Sequence, residues 1–235
     1  MCGRYTLRRV SLVFTDFDAA PVPRFEEFTE RPLFNIAPSQ HVPVVRLDAK
    51  GERTVSRVRW GLIPHWTKGK PKAAPINARA ETAMTGAMFR QAFERRRCLV
   101  PADGFYEWQG KTPPKQPYFI RMKDDALFAF AGLWERWTPE EGAEPVDTFT
   151  ILTTSPNSLM RPIHDRMPVI IPRNDYARWM DRGKPGAEVA DLLKPFDAAP
   201  MEARPVGRHV NSPKNDGPEC VAGITSEATD EEASE

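Results

Sequence analysis

Cysteine is scarce, with three in 235 residues and no CxxC pair among them. An odd count without paired spacing argues against a disulfide framework and against a thiolate zinc site, so each thiol is weighed separately. Long apolar runs are missing too: the stretch from Ala126 to Trp134 falls far short of the ~20 residues a membrane helix needs. The N-terminus, MCGRYTLRR, has bases but no apolar segment behind them, so no secretory signal is read and a cytoplasmic protein is expected, nucleoid-associated if it meets DNA. GxGxxG, the phosphate-binding GxxxxGKS/T, HExxH and GxSxG are also absent, which removes the common nucleotide, metalloprotease and esterase signatures. His41, His65 and His209 lack metal-ligand spacing, and neither a metal nor a cofactor is called for.

Net charge is nearly absent, 33 basic against 32 acidic side chains. The near-zero total conceals an uneven distribution. From Pro218 to Glu235 there are six acids and no base, which reads as a frayed acidic tail, and the remainder carries 33 bases against 26 acids. Between Arg53 and Arg97, eleven bases meet two acids, with Trp60, Trp66, Phe89 and Phe93 interleaved. Cations that follow phosphates beside rings that stack on bases suit a single-stranded nucleic-acid groove; solvated faces and core aromatics are the structural alternative.

Proline is plentiful, 24 residues or about twice the usual ~5% share, and points to short elements joined by loops. Strand-like runs lie at Val42–Arg46, Arg53–Trp60, Arg97–Val100, Tyr118–Met122, Leu127–Trp134, Thr148–Thr154 and Pro168–Ile171. Helical spacing is best over Ala80–Arg97, Asn174–Arg182 and Glu188–Lys194, and a short helix is expected from Pro156. Strands and helices do not alternate regularly. The expected fold is a single α+β domain over residues 1–222, with a mostly antiparallel sheet closing towards a barrel and scattered short helices, followed by an acidic tail at 223–235.

Cys2 carries the most distinctive chemistry. Removal of Met1 would leave a terminal 1,2-aminothiol whose amine and thiol have ordinary pKa values of about 8 and 8.5, so both are partly unprotonated near neutrality. An aldehyde can condense with the amine and be captured by the sulfur as a five-membered thiazolidine. Glu107, in Gly104-Phe105-Tyr106-Glu107-Trp108, has aromatic neighbours able to desolvate it into the general acid/base range, or else it is an exposed strand carboxylate. His164, in Ile163-His164-Asp165-Arg166-Met167-Pro168, can shuttle protons or serve structurally. Asn77 opens the basic helical segment, where capping is the plain explanation. Cys98 reads as a buried strand thiol and Cys220 as a neutral residue at the edge of the tail.

Together these stretches resemble the SOS-response-associated peptidase (SRAP) family of abasic-site processing proteins. The resemblance rests on MCGRY, Phe34-Asn35-Ile36-Ala37-Pro38, Trp60-Gly61-Leu62-Ile63-Pro64-His65-Trp66, Asn77-Ala78-Arg79-Ala80-Glu81-Thr82, the run from Arg97 to Trp108, Phe130-Ala131-Gly132-Leu133-Trp134, Leu152-Thr153-Thr154, Ile163 to Pro168, and Val210-Asn211, in family order from residue 1 to about 222. It implies a monomer that binds single-stranded DNA and traps the ring-opened aldehyde of an abasic site as a covalent crosslink through Cys2. By the same resemblance Asn77 would hold the N-terminus and sugar, Glu107 would move protons and take part in releasing Met1, and His164 would assist ring opening and reversal. Arg4, Arg79 and Arg166 would hold flanking phosphates, while Trp66, Pro38 and Thr153 would line the DNA path. Each arginine stands two residues from a reactive position, which on a strand would place both side chains on one face. Two other readings compete: a thiol peptidase or autoprocessing hydrolase using Cys2 with His164, and a non-catalytic single-strand-binding module resting on the basic segment alone.

Overall fold

The computed structural model describes residues 2–22 and 31–224. The strands are β1 (Arg4–Leu7), β2 (Ala20–Pro21), β3 (Leu33–Ile36), β4 (His41–Leu47), β5 (Arg53–Trp60), β6 (Asn77–Arg79), β7 (Arg97–Ala102), β8 (Gly104–Gln109), β9 (Gln116–Met122), β10 (Phe128–Trp137), β11 (Val146–Thr154), β12 (Met167–Pro168), β13 (Ile170–Ile171) and β14 (Met201–Pro205). The helices are α1 (Leu12–Asp16), α2 (Ala80–Ala83), α3 (Arg90–Arg95) and α4 (Tyr176–Met180), with 3-10 turns between them. The expected α+β architecture is present. In one sheet β5, β4, β7, β10 and β11 follow one another, and β11 pairs back onto β5 in parallel through Thr148↔Arg59 and Phe149↔Trp60, so five strands close a barrel. A second sheet, in the order β14-β9-β8-β1-β3, is antiparallel throughout.

Barrel closure follows from the residues that face inward. The run Phe128-Ala129-Phe130-Ala131-Gly132 in β10 alternates large and small, and a Cβ at Gly132 would stand 2.7 Å from Cys98 Sγ and 2.9 Å from Val100 Cγ2 on β7. Only glycine lets β7 and β10 approach there. Tyr5 of β1 reaches from the second sheet into the barrel core, its ring edge-on to Trp60 at 5.3 Å and to Phe130 at 5.8 Å. Such pairs add about 0.5–1.5 kcal/mol beyond the area they bury, and here they join the two sheets.

Asp103 is the covalent pivot between barrel strand β7 and second-sheet strand β8. Its fully buried carboxylate accepts from Thr6 Oγ1 at 2.5 Å, from the Arg8 backbone N at 2.6 Å and from Arg8 Nε at 3.0 Å, while its own N–H donates to the Thr6 carbonyl at 3.0 Å. β1 is thereby fastened to the hinge between the sheets.

Several expectations need correction. The helix read over Ala80–Arg97 is two short helices, α2 and α3: Gly86 N–H closes a turn on the Thr82 carbonyl at 2.8 Å, and Arg97 leaves the helix to begin β7. The guanidinium of Arg97 turns inward and donates to the carbonyls of Trp179, Phe93, Glu94, Asp181 and Lys184, which holds that residue away from solvent. Helix Asn174–Arg182 is a 3-10 turn at Arg173–Asp175 followed by α4, and Glu188–Lys194 is a 3-10 helix at Gly186–Leu192. The segment after Pro156 forms hydrogen-bonded turns, with Ile163 N and His164 N both donating to the Met160 carbonyl. β1, β2, β3, β6, β8 and β14 lie outside the strand-like runs of the sequence: the first four span four residues or fewer, and β8 and β14 carry charged residues within them. Most of the acidic tail, 225–235, lies outside the described residues. Among the described residues no helix is long and apolar enough to cross a membrane.

Replacing Asp103 with alanine leaves the Arg8 guanidinium and two donors without their buried acceptor. The expected cost is about 2–4 kcal/mol in urea unfolding, from the stranded Thr6 hydroxyl and Arg8 backbone N–H, since the Arg8 guanidinium keeps Asp125 at 2.7 Å; Asp103→Asn, which retains an acceptor, should cost less. Equal, small losses from the two variants would contradict this role for Asp103.

Candidate active site

β1 and β8 run antiparallel with Arg4 opposite Tyr106 and Tyr5 opposite Phe105. Continued by one pair, that register sets Gly3 across from Glu107, so Cys2 enters the fold beside that carboxylate. Cys2 is fully buried, and its Sγ lies 3.8 Å from the Arg4 carbonyl. Burial drives the Cys2 thiol pKa well up, and the neighbouring Glu107 charge adds to the rise. Glu107 is itself 2% exposed, and burial pushes its pKa from 4.5 to about 7. Glu107 is therefore a buried carboxylate, and the exposed-carboxylate alternative does not hold.

His164 approaches from the loop before β12, with Nε2 4.0 Å from Glu107 Oε2. Gln109 at the end of β8 donates from Nε2 to the Pro162 carbonyl at 2.9 Å and so ties that loop to the Glu107 strand. The Arg166 backbone N–H donates to His164 Nδ1 at 3.0 Å, which leaves the proton of the neutral ring on Nε2, facing Glu107. Burial lowers the His164 pKa and so favours this neutral form, although the exposed Asp165 carboxylate at 3.0 Å opposes the shift. His164 and Arg166 are therefore linked by a turn, not by a shared strand face.

Asn77 does not cap a helix, as α2 has Arg79 at its N-cap with no side-chain bond there. Asn77 and Arg79 instead share one face of β6, which pairs in parallel with β11 through Asn77↔Ile151 and Thr153↔Arg79. The spacing-of-two argument holds for this pair. Asn77 Nδ2 donates to the Ile151 carbonyl at 3.5 Å, and its Oδ1 is buried without a partner. A buried acceptor left open in this way is available to a bound donor.

Among the described residues Arg4 is held by neutral acceptors: Nη1 donates to Asn35 Oδ1 at 2.9 Å and to the Val210 carbonyl at 2.8 Å, and Nη2 to the Asn211 carbonyl at 3.1 Å. Its charge is fixed in place, and no described carboxylate forms an ion pair with it. Arg79 is exposed, whereas Arg166 forms a two-point contact with Glu81 at 2.5 and 2.8 Å and donates to the Thr153 carbonyl at 2.6 Å. The Thr153 side chain is buried, its hydroxyl 3.4 Å from the Ala78 carbonyl, so Thr153 meets the site through its backbone. Pro38 is half-buried after β3. Trp66 is 57% exposed and borders a cavity of about 330 Å³ with Lys68, Lys70, Lys72 and Met88. A larger opening of about 880 Å³ spreads beside His164 and is lined by Trp108, Lys111, Lys115 and Arg161 among others.

The basic segment is not one continuous groove. Trp60 and Phe93 are core residues, Phe89 is half-buried and Arg97 points inward, leaving Trp66 as its exposed ring. Sequence reasoning also missed Asn35, whose Nδ2 is within 2.7–3.2 Å of the carbonyls of Val210, Ser212 and Asn215 and so holds the loop that supports Arg4. Its only signal was membership in Phe34-Asn35-Ile36-Ala37-Pro38. Asp216, which accepts from the backbone of Phe34 and Asn35 at 2.7 and 3.0 Å, gave none.

Known proteins resemble this chain over most of its length. The abasic site processing protein YoqW of Bacillus subtilis (strain 168) is 43% identical over 230 residues, covering 94% of this chain and 99% of its own. The abasic site processing protein HMCES of Xenopus tropicalis is 32% identical over 225 residues, covering 83% and 67%. A crystal structure of a protein from Bacteroides thetaiotaomicron superposes with a TM-score of 0.85 at 28% identity, covering 95% of this chain and all of that one. The model of the family described as SOS response associated peptidase (SRAP) matches residues 1–213, a span that contains Cys2, Asn77, Glu107, His164 and all three arginines, and the chain belongs to that family.

Proposed function

We propose that this protein captures abasic sites in single-stranded DNA as a thiazolidine crosslink through Cys2, once Met1 has been removed. The observation that carries the reading is the placement of Cys2 beside a buried carboxylate, with Arg4 fixed by neutral acceptors two residues away. Arg4 and Arg79 would hold the phosphates flanking the lesion, so that the aldehyde is presented to the terminal amine at high effective concentration. The amine adds to C1′, the resulting carbinolamine loses water to give an imine, and Sγ then attacks the imine carbon. The thiol proton ends on the ring nitrogen. Balanced, one aldehyde and one aminothiol give one thiazolidine and one water.

Glu107 suits the proton transfers because its pKa of about 7 lets it both accept and donate near neutrality. The open Oδ1 of Asn77 would accept from the amine or a sugar hydroxyl. Neutral His164, with its proton on Nε2 towards Glu107, would relay protons during ring opening. Trp66 and Pro38 would border the strand.

The peptidase reading is less well supported. A cysteine hydrolase works through a thiolate whose pKa is lowered by an adjacent imidazolium, whereas here burial raises the thiol and keeps the imidazole neutral.

The mature protein incubated with single-stranded DNA bearing an abasic site should yield a heat-stable adduct that is lost in Cys2→Ser and after selective blocking of the α-amine. An adduct that persists with the amine blocked would sink the thiazolidine chemistry, and intact mass should show that active protein lacks Met1. Glu107 also predicts a pH dependence of stability. The native state binds this proton more tightly than the unfolded chain, so Glu107 makes stability fall as pH rises from about 4.5 to about 7 and has no further effect above that. Glu107→Gln should therefore be more stable than the parent at pH 8, by on the order of 2–3 kcal/mol, with the difference vanishing towards pH 4.5. Chemical denaturation across that range measures it, and a pH-independent difference would contradict the assignment.

A further inference from the structure

The three arginines of the site are held in different ways. Arg4 meets neutral acceptors and Arg79 is exposed, but the fork of Arg166 is filled by the Glu81 carboxylate at 2.5 and 2.8 Å. This contact is not needed to position Arg166, because its side chain is 14% exposed and Nη2 also bonds the Thr153 carbonyl at 2.6 Å. Glu81 stands in the first turn of α2 with its side chain 51% exposed, free to swing into solvent. A carboxylate presents two oxygens to a guanidinium with nearly the geometry of a phosphate. The Arg166 hydrogen bonds also lower the Glu81 pKa, so its charge is kept.

We propose that Glu81 is a specificity-determining residue that stands in for a backbone phosphate: DNA-free protein holds it in the Arg166 fork, and a bound strand must displace it. The proposal rests on the DNA-capture reading above. Because the exchange replaces one ion pair with another, Arg166 adds little net affinity, and the protein leaves undamaged strands quickly. A strand bearing an aldehyde is kept by its covalent bond, which the exchange does not weaken. Glu81 thus lowers retention on intact DNA without lowering retention at the lesion.

The test measures binding of an undamaged single-stranded oligonucleotide by fluorescence anisotropy over a salt series, using mature parent protein, Glu81→Gln, Arg166→Gln and the double variant. Glu81→Gln should bind about threefold more tightly at low salt, the size expected when a surface ion pair no longer has to break. Its affinity should also fall more steeply with salt, by about 0.7 in the log–log slope, as for one added phosphate contact. Both gains should disappear in the Arg166→Gln background. A gain that survives there is a general charge effect and overturns the proposal. Weaker or unchanged binding by Glu81→Gln overturns it as well, the former showing that Glu81 positions Arg166. Crosslinking of an abasic oligonucleotide by the parent, run in parallel, separates the two ideas: a parent that forms no adduct refutes the capture reading, whereas a crosslinking parent whose Glu81→Gln variant gains nothing refutes the role of Glu81 alone.

Discussion

The fastening of β1 by Asp103 is the constraint on which the site depends. That carboxylate sits where the chain passes from the barrel to the second sheet, and it holds Thr6 and Arg8 by three hydrogen bonds. β1 therefore cannot slide against β8, and a slip of one residue would send Tyr5 out of the core and turn its neighbours inward. With Tyr5 packed against Trp60 and Phe130, the register places Cys2 beside Glu107. Cys2, two residues before β1 begins, is buried as fully as the core strands.

Burial then acts on three titratable groups at once. It raises Cys2 and Glu107 and lowers His164, so each favours its uncharged form in the closed site. The cluster suits proton transfer between near-neutral groups better than it suits a standing thiolate–imidazolium pair. Charge is supplied from the periphery, where Arg4 meets neutral acceptors among the described residues and exposed Arg79 shares the Glu81 carboxylate electrostatically with Arg166.

The cations divide by their partners. Arg97, Arg96 and Arg46 are used internally, by carbonyls, Glu135 and Asp147 respectively, and hold the barrel together. Sequence counting gives all of them equal weight. Which ones face a strand of DNA depends on which carbonyls and carboxylates the fold brings near them.

The sequence by itself determined the class of fold and the core strands, and it singled out Cys2, Asn77, Glu107 and His164 as candidate reactive groups. The runs that become β4, β5, β10 and β11 are rich in Val, Ile, Phe and Thr, and a cysteine following the initiator methionine has a chemistry that no other position offers. Local pattern did not determine that Arg97 leaves the helical segment for β7, because the carbonyls of Trp179, Asp181 and Lys184 that hold its guanidinium are distant in sequence. Nor did it show that Asn77 lies in a strand, since β6 exists only by pairing with β11, some seventy residues later in the chain. The tertiary structure alone decided that Glu107 is buried, that Asn35 supports Arg4 and that Glu81 fills the fork of Arg166. Each of these depends on groups distant in sequence, and desolvation and ion pairing are set by what surrounds a side chain in space.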